Sequence, residues 1–173
     1  MHSLRPRSSA LALLLGLLFS VPAMADDGSQ ATTADSASPI VSPNDNRDYR
    51  SLTLDNGLEV LLISDPDADK AAAAMNVAVG SSQNPEATPG LAHFLEHMLF
   101  LGTERYPQAD SYQQYINQHG GSHNAFTASR DTNYFFDIEP GALEGALDRF
   151  SQFFIAPRFN ADYVDRERQA VNS

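Results

Sequence analysis

The chain has 173 residues, of which 42% are hydrophobic, so it can bury a core of single-domain size. It carries 22 Asp and Glu against 11 Lys and Arg, and this acidic balance argues against a nucleic-acid partner, which would select a basic surface. Cysteine is absent, which excludes disulfides, thiol nucleophiles and cysteine-ligated metals. Any metal site in this sequence must therefore use His, Asp or Glu.

The first 25 residues have the pattern of a secretory signal peptide. Arg5 and Arg7 precede an apolar segment, "ALALLLGLLFSV", that is short for a bilayer span, and "AMA" offers small residues for cleavage. A membrane anchor is the alternative, but Asp26 and Asp27 follow the small residues at once, which favours cleavage and leaves no stable anchor. We expect an exported chain, in a bacterial periplasm, with a eukaryotic secretory route still open.

Residues 26–47 are rich in Ser, Thr, Ala, Asp and Pro and show neither a helical nor a strand period. This composition predicts a flexible leader. The folded part is expected to occupy residues 48–173.

The first folded segment, residues 49–66, has the pattern of a β-hairpin. Two apolar runs flank Asp55, Asn56 and Gly57, and an Asn-Gly pair suits a type I′ turn. Residues 71–82 follow. Their alanine run is compatible with a helix, but "MNVAVG" favours a third strand.

The rest of the chain alternates helical and strand patterns. It predicts a helix over 91–101, a helix over 108–121 capped by Asp110 or Ser111, two strands within 122–139, a helix after Pro140, and a helix after Pro157 that continues to Ser173. Strands and helices in mixed blocks are typical of an α+β fold, with a sheet packed against helices.

The segment "HFLEH" places two histidines and a glutamate on the first predicted helix. Because successive helical residues rotate by about 100°, His97 falls about 40° from His93, and Glu96 falls about 60° to the other side. Both imidazoles can therefore share one tetrahedral metal such as Zn²⁺, with Glu96 placed as a general base. Glu96 is a poorer candidate for a ligand, because adjacent residues diverge.

The alternative is that these are core residues on an apolar helix, as a lone histidine in such a setting usually is. Burying two histidines and a glutamate without partners would cost several kcal/mol, which favours the metal site. His119 and His123 also lie four residues apart, but Gly120 and Gly121 interrupt them, which argues against a second metal site.

Three blocks of the sequence resemble one family. "GLAHFLEHMLFLGTERYP", "GGSHNAFTASRDTNYFF" and "LEGALDRFSQFFIAPRF" are similar, in this order, to segments of the inverzincin zinc metallopeptidases, the pitrilysin and insulin-degrading enzyme family. The resemblance covers residues 49–173 and implies the N-terminal part of that peptidase fold. It implies a zinc endopeptidase for peptides and small unfolded polypeptides, with one Zn²⁺ per site.

The resemblance also implies roles for individual residues. His93 and His97 correspond to two zinc ligands, and Glu96 corresponds to the general base. The edge strand that pairs with an extended peptide substrate corresponds to four consecutive residues, Asn124, Ala125, Phe126 and Thr127. An ordinary sheet strand is the alternative for this segment.

The family's third zinc ligand is the last residue of the pattern E-R-x-A-V-N-x-E. This sequence reads "ERQAVNS", so the corresponding glutamate would follow Ser173. Glu167 lies two helical turns earlier on the same face and corresponds to a supporting carboxylate; a solvated helix face with Arg166 and Arg168 is the alternative.

We therefore expect a fragment of a longer chain, whose remaining domains would help to enclose a peptide. The isolated 173 residues are expected to bind zinc weakly and to be inactive. A non-catalytic peptide-binding homologue or subunit is the alternative function, although such proteins usually lose part of the histidine and glutamate motif.

Overall fold

The computed structural model describes residues 39–172. The predicted signal peptide, the first part of the predicted leader and Ser173 lie outside the described residues. The chain divides into two compact units, one reaching Ala68 and one beginning at Asp69. Within residues 39–172, no helix has the length and apolar character that a membrane span needs.

The first unit contains an antiparallel hairpin of β1 (Asp48–Thr53) and β2 (Glu59–Ser64), preceded by residues 39–47 without helix or strand. The predicted hairpin is confirmed, but the predicted type I′ turn is wrong. That turn needs a positive φ at both central residues, and only Gly57 has one, at 83°. Gly57 instead follows a tight turn in which its N–H donates to the Leu54 carbonyl at 2.8 Å.

The second unit contains a three-stranded sheet. It consists of β3 (Ala71–Val77), β4 (Ser122–Thr127) and β5 (Thr132–Ile138), in the order β3–β5–β4, with both pairings antiparallel. The third predicted strand is confirmed, and it includes the alanine run. The alanines alternate between half-buried and exposed, which is the period of a strand.

Four helices accompany this sheet: α1 (Leu91–Leu99), α2 (Ser111–Gln118), α3 (Leu143–Ile155) and α4 (Ala161–Val171). All four predicted helices are confirmed, but α4 ends at Val171, with Asn172 at the C-cap, and does not continue as predicted. Helix α1 ends two residues before its predicted end, because the N–H groups of Phe100 and Leu101 bond three residues back and tighten the last turn. Helix α2 begins at Ser111, so Asp110 occupies the predicted N-cap position, although its side chain makes no capping hydrogen bond.

One face of the sheet and the helices form the core. Along β5, the side chains of Tyr134, Phe136 and Ile138 are almost fully buried, while Phe135 between them is exposed. Phe150 of α3 packs edge-on against Phe136 of this face, and Phe153 of α3 packs edge-on against Tyr112 of α2. Full burial of one such aromatic side chain stabilises the fold by about 1.5–3 kcal/mol. The α+β fold with antiparallel strands is therefore confirmed, and its core places α1 beside β4 and α4.

Candidate metal centre and active site

The start of α1 is set by two residues outside the helix. Gly90 adopts φ 85°, a left-handed conformation that suits glycine, and turns the chain into the helix. Asn84 supplies the cap, since its side-chain oxygen accepts a hydrogen bond from the Ala92 N–H at 2.9 Å. This cap holds the first turn of α1, on which His93 lies.

The two histidines of α1 face one another. The Nε2 atoms of His93 and His97 lie 3.2 Å apart, and the ring centroids are 4.8 Å apart at a steep angle. This is the geometry that one helical turn predicts. The ring of His93 is exposed and that of His97 is half-buried, so both nitrogens border an accessible space.

His97 is oriented from its other side by α4. Its Nδ1 lies 2.9 Å from Oε2 of Glu167, which is 9% exposed. Burial raises the pKa of Glu167, but hydrogen bonds from His97 and from Arg166 outweigh it and hold this pKa below its usual value. An ionised carboxylate only accepts, so Nδ1 donates to it, and in a neutral ring this leaves Nε2 with the lone pair that a metal needs. The solvated-face alternative for Glu167 is wrong.

Glu96 lies on the inner side of the histidines. It is 7% exposed, and its Oε2 accepts a hydrogen bond from the Thr127 hydroxyl at 2.5 Å. Ligand atoms of Glu96, His93 and His97 all lie within 4.8 Å of one another. The structure therefore gathers the three residues of the motif at one point, with the end of β4 beside them.

The four residues predicted to contact substrate lie on the two faces of β4. Asn124 and Phe126 are exposed, and Phe126 is 50% accessible on the open face of the sheet. Ala125 and Thr127 point to the helix side. Among the described residues β4 is an edge strand, paired only with β5. The structure thus brings Thr127 to the motif, whereas Asn124 and Phe126 face away from the helices.

Tyr134 is a neighbour of the site that the sequence analysis did not identify. It is 3% exposed on β5, opposite Ala125 in the sheet. Burial, with a smaller contribution from the charge of Glu96, raises the pKa of Tyr134 to about 12. The phenol of Tyr134 therefore stays neutral near neutral pH. The strand period alone marks it as buried, and nothing local shows its proximity to Glu96.

The second histidine pair has two unrelated environments. His119 is the residue after α2, where its Nδ1 contacts the Tyr115 carbonyl oxygen at 2.8 Å. His123 packs between the rings of Phe100 and Tyr112. Neither belongs to the cluster of possible metal ligands found in residues 39–172.

The spacing of the two histidines suits a zinc ion. Two nitrogen ligands about 2.0–2.1 Å from a tetrahedral centre are separated by about 3.3 Å, close to the 3.2 Å between the Nε2 atoms. The Nδ1 atom of His97 is already bound to a carboxylate, as in other histidine-ligated sites. His93 and His97 therefore fit two positions of such a site.

Comparison with known proteins agrees with this geometry. Residues 59–173 match the family described as insulinase, peptidase family M16. The chain is 56% identical over 144 residues to insulin-degrading enzyme-like 2 of Arabidopsis thaliana, covering 83% of this chain and 15% of that protein. It is 54% identical over 132 residues to the insulin-degrading enzyme of Homo sapiens, covering 76% of this chain and 13% of that protein.

A solved structure shares the fold. The crystal structure of pitrilysin superposes with a TM-score of 0.73 at 50% identity, covering 76% of this chain and 14% of that one. The chain thus spans about one seventh of the length of each of these three relatives. Because residues 59–173 match this family and the cluster of two histidines and a glutamate is intact, the chain belongs to the insulinase family, M16, of zinc metallopeptidases.

Proposed function

We propose that this chain supplies the metal-binding and proton-transfer part of a zinc endopeptidase that cleaves peptides and small unfolded polypeptides. The observation that carries the proposal is the cluster of His93, Glu96 and His97, with the two Nε2 atoms 3.2 Å apart. A non-catalytic binding homologue would not need this geometry, so the intact cluster favours the enzyme.

The three residues of α1 have different roles. His93 and His97 would hold the zinc, which when bound supplies Lewis acidity and makes water acidic enough to be deprotonated near neutral pH. Glu96 takes the proton of the attacking water and passes it to the departing amine. Its burial and the Thr127 hydrogen bond keep the carboxylate aimed at the space beside the histidines.

The edge of β4 supports binding of an extended peptide. Its outer side has no partner strand among residues 39–172, so backbone groups there can pair with an added strand. This strand leads directly to Thr127 and hence to Glu96. A peptide paired along β4 would therefore pass the proton-transfer group.

The rest of the proposal concerns the protein that contains this chain. A third ligand and the walls that enclose the peptide would come from other parts of that protein. The signal-like first 25 residues support an exported, periplasmic location.

The decisive experiment replaces Glu96 by Gln in the full-length protein. The amide keeps the shape of the side chain but cannot take a proton, so we expect peptide cleavage to fall by about 10²–10⁴-fold. Zinc content, measured by atomic absorption, should stay the same. A wild-type rate in this variant would contradict the mechanism.

Glu144 offers a matched control. It is an exposed acid in the first turn of α3, so Glu144→Gln should leave cleavage unchanged. Chelator should abolish activity of the wild-type protein, and added Zn²⁺ should restore it.

A further inference from the structure

Thr127 makes a contact that links β4 to α1. Its hydroxyl donates to Oε2 of Glu96 at 2.5 Å, across a separation of 31 residues in the chain. The hydroxyl is a neutral donor, so it stabilises the carboxylate without cancelling its charge. A hydrogen bond to a charged acceptor of this kind is short and stronger than one between neutral groups.

The position of this contact is restricted on several sides. Glu96 is buried on α1, and Thr127 is the last residue of β4, on its helix-facing side. Immediately after Thr127, the chain is held by backbone bonds from Ser81 to Ala128 and from Ser82 to Ser129, both 2.8 Å long. The donor therefore sits on a fixed backbone, which is what accurate placement of a side chain requires.

The contact also uses the group that Thr127 would otherwise offer to a substrate. A β-branched residue has few side-chain conformers, and the one present directs the hydroxyl to Glu96. The hydroxyl of Thr127 is thus already used in a hydrogen bond to Glu96 and is not free to contact a peptide.

We propose that Thr127 is a positioning residue for Glu96: its hydroxyl sets the orientation of the carboxylate, and it links the peptide-pairing strand to the proton-transfer group. This inference rests on the proposed function of Glu96. It assigns Thr127 a role in turnover and not in substrate contact. Loss of the Thr127 hydroxyl should therefore lower kcat and leave KM nearly unchanged.

The test compares Thr127→Val with Thr127→Ser in the full-length zinc-loaded protein. Valine keeps the shape and removes the donor, while serine keeps the donor. We expect kcat to fall about 10–100-fold in Thr127→Val, with KM within about twofold of wild type. Thr127→Ser should keep kcat within about threefold of the wild-type value. Thermal unfolding of each variant checks that the fold is retained.

A readout without turnover comes from crystal structures of the two variants prepared free of metal. The Glu96 carboxylate should rotate away from its present position in Thr127→Val and keep that position in Thr127→Ser. In the Glu96→Gln background, adding Thr127→Val should cause little further loss of kcat, because the residues act as one unit.

The outcomes separate this inference from the proposed function. Full activity in Glu96→Gln would overturn the proposed function and the inference with it. A large loss in Glu96→Gln with unchanged kcat in Thr127→Val would overturn the inference alone. Equal losses in the valine and serine variants, or an increase in KM without a change in kcat, would also overturn it.

Discussion

His97 and Glu167 lie on different helices, yet the Nδ1 of the histidine is 2.9 Å from Oε2 of the glutamate. The contact joins α1 to α4 and leaves the other nitrogen of His97 directed at His93. Because Glu167 is also held by two nitrogens of Arg166, at 2.7 and 2.6 Å, the carboxylate is fixed at both oxygens. The orientation of a candidate metal ligand thus depends on a residue 70 positions away.

This relationship predicts that Glu167→Ala weakens zinc binding. Without the carboxylate the imidazole of His97 loses its orientation and part of its basicity, so we expect affinity to fall about 10–100-fold. Competition with a chelating dye, in the full-length protein, measures the change.

Asp165 is the matched control for that substitution. It lies on the same helix and pairs with Arg168 at 3.0 Å, but its side chain is 81% exposed. Asp165→Ala should leave zinc affinity unchanged, and equal losses in the two variants would contradict a specific role for Glu167.

Removal of either candidate ligand should have a larger effect. His93→Ala or His97→Ala deletes one of the two nitrogens that lie 3.2 Å apart, so zinc affinity should fall by more than about 100-fold. His119→Ala removes a histidine outside the cluster and should bind zinc as the wild type does. Retained zinc binding in both α1 variants would show that the metal lies elsewhere.

The environment of His123 predicts a loss of stability in acid. Burial disfavours the charged ring and lowers the pKa of His123 below 6.5 in the folded state. The unfolded chain then binds more protons as the pH falls through 6.5, so stability is complete above that pH and declines from there towards the folded-state pKa. His123→Phe should show a smaller decline between pH 7 and pH 5 in thermal melts. An unchanged pH dependence in this variant would exclude His123 as a contributor.

The packing of α3 predicts that alanine substitutions at two adjacent positions lower the free energy of unfolding by different amounts. Phe153 is 2% exposed and contacts the rings of Phe100 and Tyr112, whereas Phe154 is 37% exposed. We expect Phe153→Ala to lower the free energy of unfolding by about 3–5 kcal/mol, and Phe154→Ala to lower it by less. Urea denaturation of the two variants compares them directly. A greater loss at Phe154 would contradict the deeper packing of Phe153 in the core.

Local patterns in the sequence were sufficient to predict most of the helices and strands. The helical period located α1 to α4, and the alternation of side chains located β4 and β5, because these signals depend on neighbouring residues. The errors concerned backbone detail, as at Asn56, where the dipeptide suits a type I′ turn but only Gly57 has the positive φ that this turn needs. Gly80 shows a further limit. A Cβ atom there would lie 2.4 Å from the Ala128 carbonyl oxygen, and nothing near Gly80 in the sequence indicates that contact.

The sequence by itself determined the content of the candidate site. One turn of helix must place His93 and His97 on one side with Glu96 beside them, because helical rotation is a local property. Only the tertiary structure decided what these residues meet. Glu167 reaches His97 across 70 positions and Thr127 reaches Glu96 across 31. Such contacts arise from the packing of α4 and β4 against α1, to which distant parts of the chain contribute together.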